Sequence, residues 1–256
     1  MSGRALSGRA AIVTGSTSGI GRAAAIALAG QGASVVVTGR NDDRGRATVK
    51  TIEENGGTAM FVRQEVTEEG DWRRLFETTL GAHGRLDILI NNAGDCILKP
   101  IEDMTLDLLR FHLRVNLEAC FLGMKLAMDA MKNGGGVILN VSSVAGLKGG
   151  IGGTAYGASK AGMTELSKAV AAECRRNGLA IRVNSIHPGL IWGDGVVDAM
   201  GEDGAAKFRK MIVERTPLKR VGAPEDIAAL ILYLVSDEAA AISGVPVVAD
   251  GGYMAV

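Results

Sequence analysis

Tyr156 and Lys160 stand four residues apart in the stretch TAYGASKAGM, where most other positions are Ala, Gly or Ser. On a helix that spacing stacks both side chains on one face, the lysine one turn beyond the tyrosine. An ammonium beside a phenol favours the phenolate and lowers its pKa towards neutral. Reduction of a carbonyl by hydride needs such a group to protonate the developing alkoxide, and oxidation of an alcohol needs it as a base. Two surface residues on a closely packed helix would give the same spacing, and for an isolated pair that is the commoner situation. Other residues must decide between the two readings.

The elements that would carry the pair alternate along the chain. Short apolar runs at 10–14, 34–38, 59–63, 86–90, 136–142, 181–186 and 245–249 are separated by helical stretches near 19–30, 42–55, 70–82, 104–131, 155–176 and 224–236. The runs are too apolar for a sheet covered on one face only and suit parallel strands. Gly56-Gly57, Gly134 to Gly136 and Gly178 mark helix stops. The pattern predicts an α/β fold: a single doubly wound Rossmann-type domain over 1–256, with ligands at the carboxyl ends of its strands. Residues 190–223 hold two helical patches where a short connection would serve, which predicts a small substrate lid.

Bulk properties exclude several classes. The 256 residues carry 28 Lys plus Arg against 28 Asp plus Glu and only 4% aromatics, so neither nucleic acid nor an anionic membrane is an expected partner. Cys96, Cys120 and Cys174 are far apart and odd in number, which predicts no disulfide framework and a reducing, cytoplasmic setting. No apolar run nears the roughly 18 residues of a membrane span. The opening MSGRALSGRA has no apolar stretch of signal-peptide length. No metal-ligating constellation is visible: His83 and His112 fall on helices without a nearby partner in sequence, and His187 reads as support for the Pro188-Gly189 turn.

Directly after the first strand comes TGSTSGIGRAAAIALA, in which Gly15, Gly19 and Gly21 open an Ala-rich helix. Glycines there allow a tight turn and let backbone amides approach a pyrophosphate at the positive helix end, so the segment predicts dinucleotide binding. The second strand ends VVVTGRND, placing Gly39 where an acidic residue would bond the ribose and repel a 2′-phosphate, with Arg40 next to it. An arginine accommodates that phosphate, so NADP(H) is the expected cofactor and NAD(H) the alternative. Asp42 and Asp43 read as caps of the following helix.

The loop spacing, Thr14-Gly15 then Gly19-Ile20-Gly21, resembles that of the short-chain dehydrogenase/reductase family, and the resemblance recurs in order along nearly the whole chain. NNAG (91–94), Asn116 in RVNLEA, Ser142-Ser143, Tyr156 with Lys160, HPG (187–189), GAPEDIA and VADGG follow in turn. The resemblance implies one domain with seven parallel strands. It implies that Ser143, thirteen residues before Tyr156, holds the substrate oxygen while Tyr156 exchanges the proton. Lys160 would lower the phenol's pKa, and Asn116 would distort its helix and carry a water in a relay to the lysine. Ser142 reads as a strand-end hydroxyl bonded to backbone.

For the cofactor, the resemblance implies Gly15, Thr17, Ser18, Gly19, Ile20 and Gly21 around the phosphates and Arg40 at the ribose. Glu65-Val66 would stand at the adenine where the family has Asp-Val, and Asn92, Ala93 and Gly94 along the adenosine side. Tyr156, Lys160, Pro188, Gly189 and Ile191 would meet the nicotinamide end. Two further positions depart from the family pattern: Ser18 replaces the basic residue of some NADP-dependent relatives, and Gly193 replaces a threonine that bonds the carboxamide. A homotetramer packed through 104–131 and 155–176 is also implied. Gly157, Ala158 and Ser159 would then give clearance to cofactor and partner chain.

Candidate pocket residues are apolar: Cys96, Ile97, Leu98, Val144, Ala145, Leu190 and Trp192, with Val196, Val197, Met200, Phe208, Met211 and Ile212 from the lid. They predict a small-molecule substrate, a bulky apolar secondary alcohol or ketone of steroid or terpenoid type. Residues 201–220 carry six basic side chains against three acidic ones, which leaves reduction of a 3-oxoacyl carrier or coenzyme A thioester as the alternative. A non-catalytic, cofactor-binding regulatory protein is the alternative of another class.

Overall fold

The β-branched runs form strands β1 (Ala10–Val13), β2 (Ser34–Gly39), β3 (Thr58–Arg63), β4 (Ile88–Asn91), β5 (Gly136–Val141), β6 (Ile181–Pro188) and β7 (Pro246–Ala249). The computed structural model describes residues 5–150 and 152–255, the side chains of 194–200 excepted. All seven strands are parallel neighbours in one sheet of order β3-β2-β1-β4-β5-β6-β7. Strand order reverses between β1 and β4, which makes their carboxyl ends the topological switch point.

Helices α1 (Gly19–Gly30), α2 (Asp42–Glu54), α3 (Glu69–His83), α4 (Leu106–His112), α5 (Ala119–Met131), α6 (Thr154–Arg176), α7 (Asp194–Arg215) and α8 (Pro224–Val235) cover the sheet. Alternation along the strands splits the core into two layers. Val13, Val35, Val37, Ile90 and Leu139 face α1 and α8, packing with Leu28, Ile231 and Leu234. Ile12, Val36, Leu89 and Ile138 face the other way, onto Trp72, Leu75, Met124 and Met163. Burial on both faces fails only at the sheet edges, where β3 and β7 are partly exposed because each has one neighbour.

Two local expectations are corrected. The cap of α2 is Asn41, whose side-chain oxygen accepts from the Arg44 amide at 2.9 Å; Asp42 and Asp43 occupy the first turn, where their charge meets the helix dipole. The stretch 104–131 is not one regular helix: α4 passes into a π-helical segment, Leu113–Glu118, before α5 begins. The two helical patches of 190–223 are present as α7, broken at Gly201 by a non-helical backbone (φ 68, ψ 167). Among the described residues no helix is long and apolar enough to cross a membrane.

Candidate active site

The β1–α1 loop lies against the segment after β4. A Cβ on Gly15, whose φ is +62, would stand 2.9 Å from the Cα of Ala93, so glycine is required for this approach. Thr14 Oγ1 accepts from the amides of Asn92 and Ala93, both at 3.0 Å, and Asn92 Nδ2 donates to the Thr14 carbonyl at 2.9 Å. Around this junction runs a cleft of about 350 Å³ lined by Gly15, Thr17, Ser18, Gly19, Ile20, Arg40, Glu65, Val66, Asn92, Ala93 and Gly94. Of the expected loop residues only Gly21 turns inward, its Cβ position 2.5 Å from the Gly15 carbonyl.

These residues fit a dinucleotide. The loop ends at the amino terminus of α1, where free amides and the helix dipole suit a pyrophosphate. At the end of β2 a Cβ on Gly39 would stand 2.6 Å from Thr17 Cγ2, and the exposed Arg40 guanidinium reaches Glu65 Oε2 at 3.9 Å. Glu65 Oε1 also accepts from the Thr67 hydroxyl at 3.2 Å. Gln64, which the sequence reading passed over, lines the same cleft; its carbonyl accepts from the Thr38 hydroxyl at 2.8 Å, and its buried Nε2 has no partner among the described residues.

The four-residue pair on α6 is met by a second polar set. Asn116 lies fully buried in the π-helical segment, where the widened turn frees its side chain to hold Asp95. Its Oδ1 accepts from the Asp95 amide (2.9 Å), and its Nδ2 donates to the Asp95 carbonyl (3.1 Å) and to Ser159 Oγ (2.9 Å). Lys160 Nζ donates to the Val141 carbonyl at 2.8 Å and lies 5.8 Å from the centroid of the Tyr156 ring. A Cβ on Gly94 would meet both Asn116 Oδ1 (2.7 Å) and Lys160 Nζ (3.3 Å). The small residues of α6 therefore serve the protein's own packing. Gly157 clears the Ala145 carbonyl (2.9 Å from its Cβ position) and Ser159 bonds Asn116, so both have a packing role inside the chain.

Ser143 follows β5 and its hydroxyl accepts from the Ala145 amide at 3.1 Å. Ser142 turns away and donates to the Lys160 carbonyl at 2.9 Å, as expected of a strand-end hydroxyl. His187 supports more than its own turn: Nδ1 lies 2.8 Å from the Ser143 carbonyl and Nε2 2.9 Å from Ser185 Oγ. A carbonyl only accepts, so Nδ1 carries the proton and Nε2 accepts from Ser185; burial lowers the ring's pKa and keeps it neutral.

Electrostatics run against one expectation. Burial pushes the Tyr156 phenol up to about 12, opposed by a hydrogen bond from Ser143. Burial also brings the Lys160 ammonium down to about 8. In the chain by itself desolvation outweighs the Ser143 hydrogen bond, and the phenol holds its proton at neutral pH.

Tyr156 and Ser143 line a second cleft of about 430 Å³ together with Val144, Gly189, Leu190, Ile191 and the expected Cys96, Leu98, Ala145 and Ile212. Pro188 is buried in β6 beside it. The Ile191 amide takes no part in its bridge to Gly222, which uses the Trp192 amide (2.8 Å) and the Leu190 carbonyl (3.0 Å). Trp192 is not a lining residue; its ring lies 5.7 Å from the Arg209 guanidinium. Phe208 and Met211 do not line the cleft, and the side chains of Val196, Val197 and Met200 lie outside the described residues. Gly193 caps α7 in extended backbone. Thr216, Leu218, Arg220 and Tyr253 also line the cleft; no motif marks Thr216, Leu218 or Tyr253, where the carboxyl-terminal tail packs on 216–218.

A nucleotide cleft at the switch point, continuing along 92–98 to a pocket that presents a tyrosine and a serine, defines a dinucleotide-dependent oxidoreductase. A family model described as enoyl-(acyl carrier protein) reductase matches residues 15–254. The chain is 40% identical over 254 residues to the NADP-dependent (R)-specific alcohol dehydrogenase of Lentilactobacillus kefiri, covering 98% of each chain. It is 36% identical to the 3-beta-hydroxysteroid dehydrogenase of Comamonas testosteroni, covering 97% of each. A solved 7 alpha-hydroxysteroid dehydrogenase in complex with NADH and 7-oxo glycochenodeoxycholic acid superposes with a TM-score of 0.91 at 35% identity, over 98% of this chain and 96% of that one. The chain belongs to the short-chain dehydrogenase/reductase family and is an oxidoreductase that uses a nicotinamide cofactor.

Proposed function

We propose that this enzyme interconverts a bulky, apolar secondary alcohol and its ketone, with NADP(H) preferred over NAD(H). The 430 Å³ cleft carries the reading: the hydroxyls of Ser143 and Tyr156 sit among Leu98, Val144, Leu190 and Ile212, and the charged Arg220 and Asp226 neutralise each other as a pair. The bound nicotinamide supplies or accepts the hydride. Ser143 holds the substrate oxygen, and in reduction Tyr156 passes its proton to the alkoxide that develops there. Lys160, buried one turn away, then stabilises the phenolate left behind. Asn116 fixes the Asp95 backbone beside it. The amides of 15–21 hold the pyrophosphate, and Arg40, with Gly39 leaving room, pairs with a 2′-phosphate. Residues 190–223 act as the lid over the substrate.

The named activities of the relatives support this reading, as does NADP in the name of the Lentilactobacillus enzyme. The description of the matching family model favours an acyl-carrier thioester instead. Against that second reading, three cations of 201–220 have partners within the chain: Arg209 on Trp192, Lys219 on the Glu214 carbonyl and Arg220 on Asp226. We further propose a cytoplasmic homotetramer; unpaired cysteines support the compartment. Exposed Phe121 on α5, Tyr233 on α8, and Val245 and Val248 at β7 support the assembly.

The test is a panel of acetophenone, cyclopentanone, 3- and 7-ketosteroids and acetoacetyl coenzyme A, each with NADPH and NADH. Ketones should turn over, with the higher kcat/KM for NADPH. Tyr156→Phe should abolish turnover while NADPH still binds in a fluorescence titration. Reduction of the thioester alone would move the assignment to the second reading, and equal or better use of NADH would reject the cofactor preference. A near wild-type rate in Tyr156→Phe would remove the tyrosine from the mechanism.

A further inference from the structure

We propose that His112 is a positioning residue that sets both the tilt of the Tyr156 ring and the wall of the substrate cleft facing it, an inference that rests on the oxidoreductase reading above. His112 ends α4 and is fully buried, 0% exposed. Its Nε2 lies 3.2 Å from the Ile97 carbonyl. A carbonyl only accepts, so Nε2 carries the proton and Nδ1 is left as a bare lone pair, with no partner among the described residues. A leucine or phenylalanine would fill the same volume but lose the bond to Ile97, so the histidine keeps that bond at the expense of an unpaired Nδ1.

The ring's contacts give the reason. Its centroid is 6.0 Å from that of Tyr156, edge-on at 66°, and 5.6 Å from that of Phe111, a residue of the nucleotide cleft. His112 thus stands between the two clefts. One turn further on, Asn116 grips both backbone groups of Asp95. His112 and Asn116 therefore repeat the four-residue spacing of Tyr156 and Lys160 on the opposing element. Together they hold Asp95 and Ile97, while Cys96 and Leu98 line the substrate cleft. The edge of the imidazole limits rotation of the phenol ring, and the Nε2 proton fixes the segment that the substrate must pass.

The two contacts can be removed separately. His112→Phe keeps an aromatic edge and loses the hydrogen bond; His112→Gln keeps an amide donor for Ile97 and loses the ring. Cys96 reports on the segment without any need for turnover, because it is exposed whereas Cys120 and Cys174 are buried. For His112→Phe, reaction of Cys96 with DTNB should quicken about fivefold and KM for acetophenone rise about tenfold, with kcat within about twofold. For His112→Gln, Cys96 reactivity and KM should stay within about twofold while kcat falls about tenfold. NADPH affinity should be unchanged in both. A common pattern in the two variants, or no change in either, would overturn the proposal. If the wild type reduces no ketone of the panel, the oxidoreductase reading fails at that point, and the Cys96 contrast alone still decides the role at the cleft wall.

Discussion

In the proposed mechanism Tyr156 is the proton donor, and its burial suits it to that role. Removing the phenol from water penalises its ionised form, and this raises the group to about 12 even with a lysine one turn away. Lys160 is penalised in the same way, down to about 8, so it stays largely protonated at neutral pH. The pair is thus set for proton donation, and further positive charge is needed before the phenolate becomes a base. A measurement follows from the sign of the shift. An ordinary phenol is about half ionised at pH 10. In the cofactor-free protein the 295 nm difference between wild type and Tyr156→Phe should therefore be absent at pH 10. A phenolate signal there would show that the ammonium, not burial, sets the group.

Among the elements, the π-helical segment 113–118 matters most. Its widened turn carries Asn116, whose amide bonds Asp95 and Ser159. The segment after β4 can follow only because residue 94 has no side chain. Gly94→Ala would place a methyl 2.7 Å from Asn116 Oδ1, an atom already bound to the Asp95 amide and unable to give way. The substitution should cost about 1–3 kcal/mol in urea denaturation, by forcing the contact apart. Turnover should fall with it. Wild-type activity and stability together would mean that Asn116 is free to move.

At the scale of the molecule, the sheet has two unequal edges. β3 ends one side against α2, while on the other side Val245, just before β7, and Val248 within it lie in solvent. Exposed edge strands with apolar side chains invite pairing with another chain, and in the proposed tetramer β7 would be covered. Sedimentation should give the mass of four chains, and Val248→Lys should shift it to smaller species with cofactor binding retained. A wild-type monomer would reject the assembly.

Periodicity and glycine placement determined the strands, the helices and the glycine loop, because these depend on residues near in sequence: α1 runs over 19–30 as the pattern predicts. The order of motifs likewise marked Ser143, Tyr156 and Lys160, since the spacing of chemically specific side chains survives in one dimension. What remained was decided by contacts between distant segments. His112 gave no signal in sequence, yet packing brings it to Tyr156 and Ile97, and His187 to Ser143. Trp192, apolar and well placed along the chain, stands outside the cleft, while Tyr253 from the far end lines it. The phenol's pKa was also a tertiary matter. Sequence put a charge beside it, but desolvation depends on everything packed around a group, and only the folded chain supplies that.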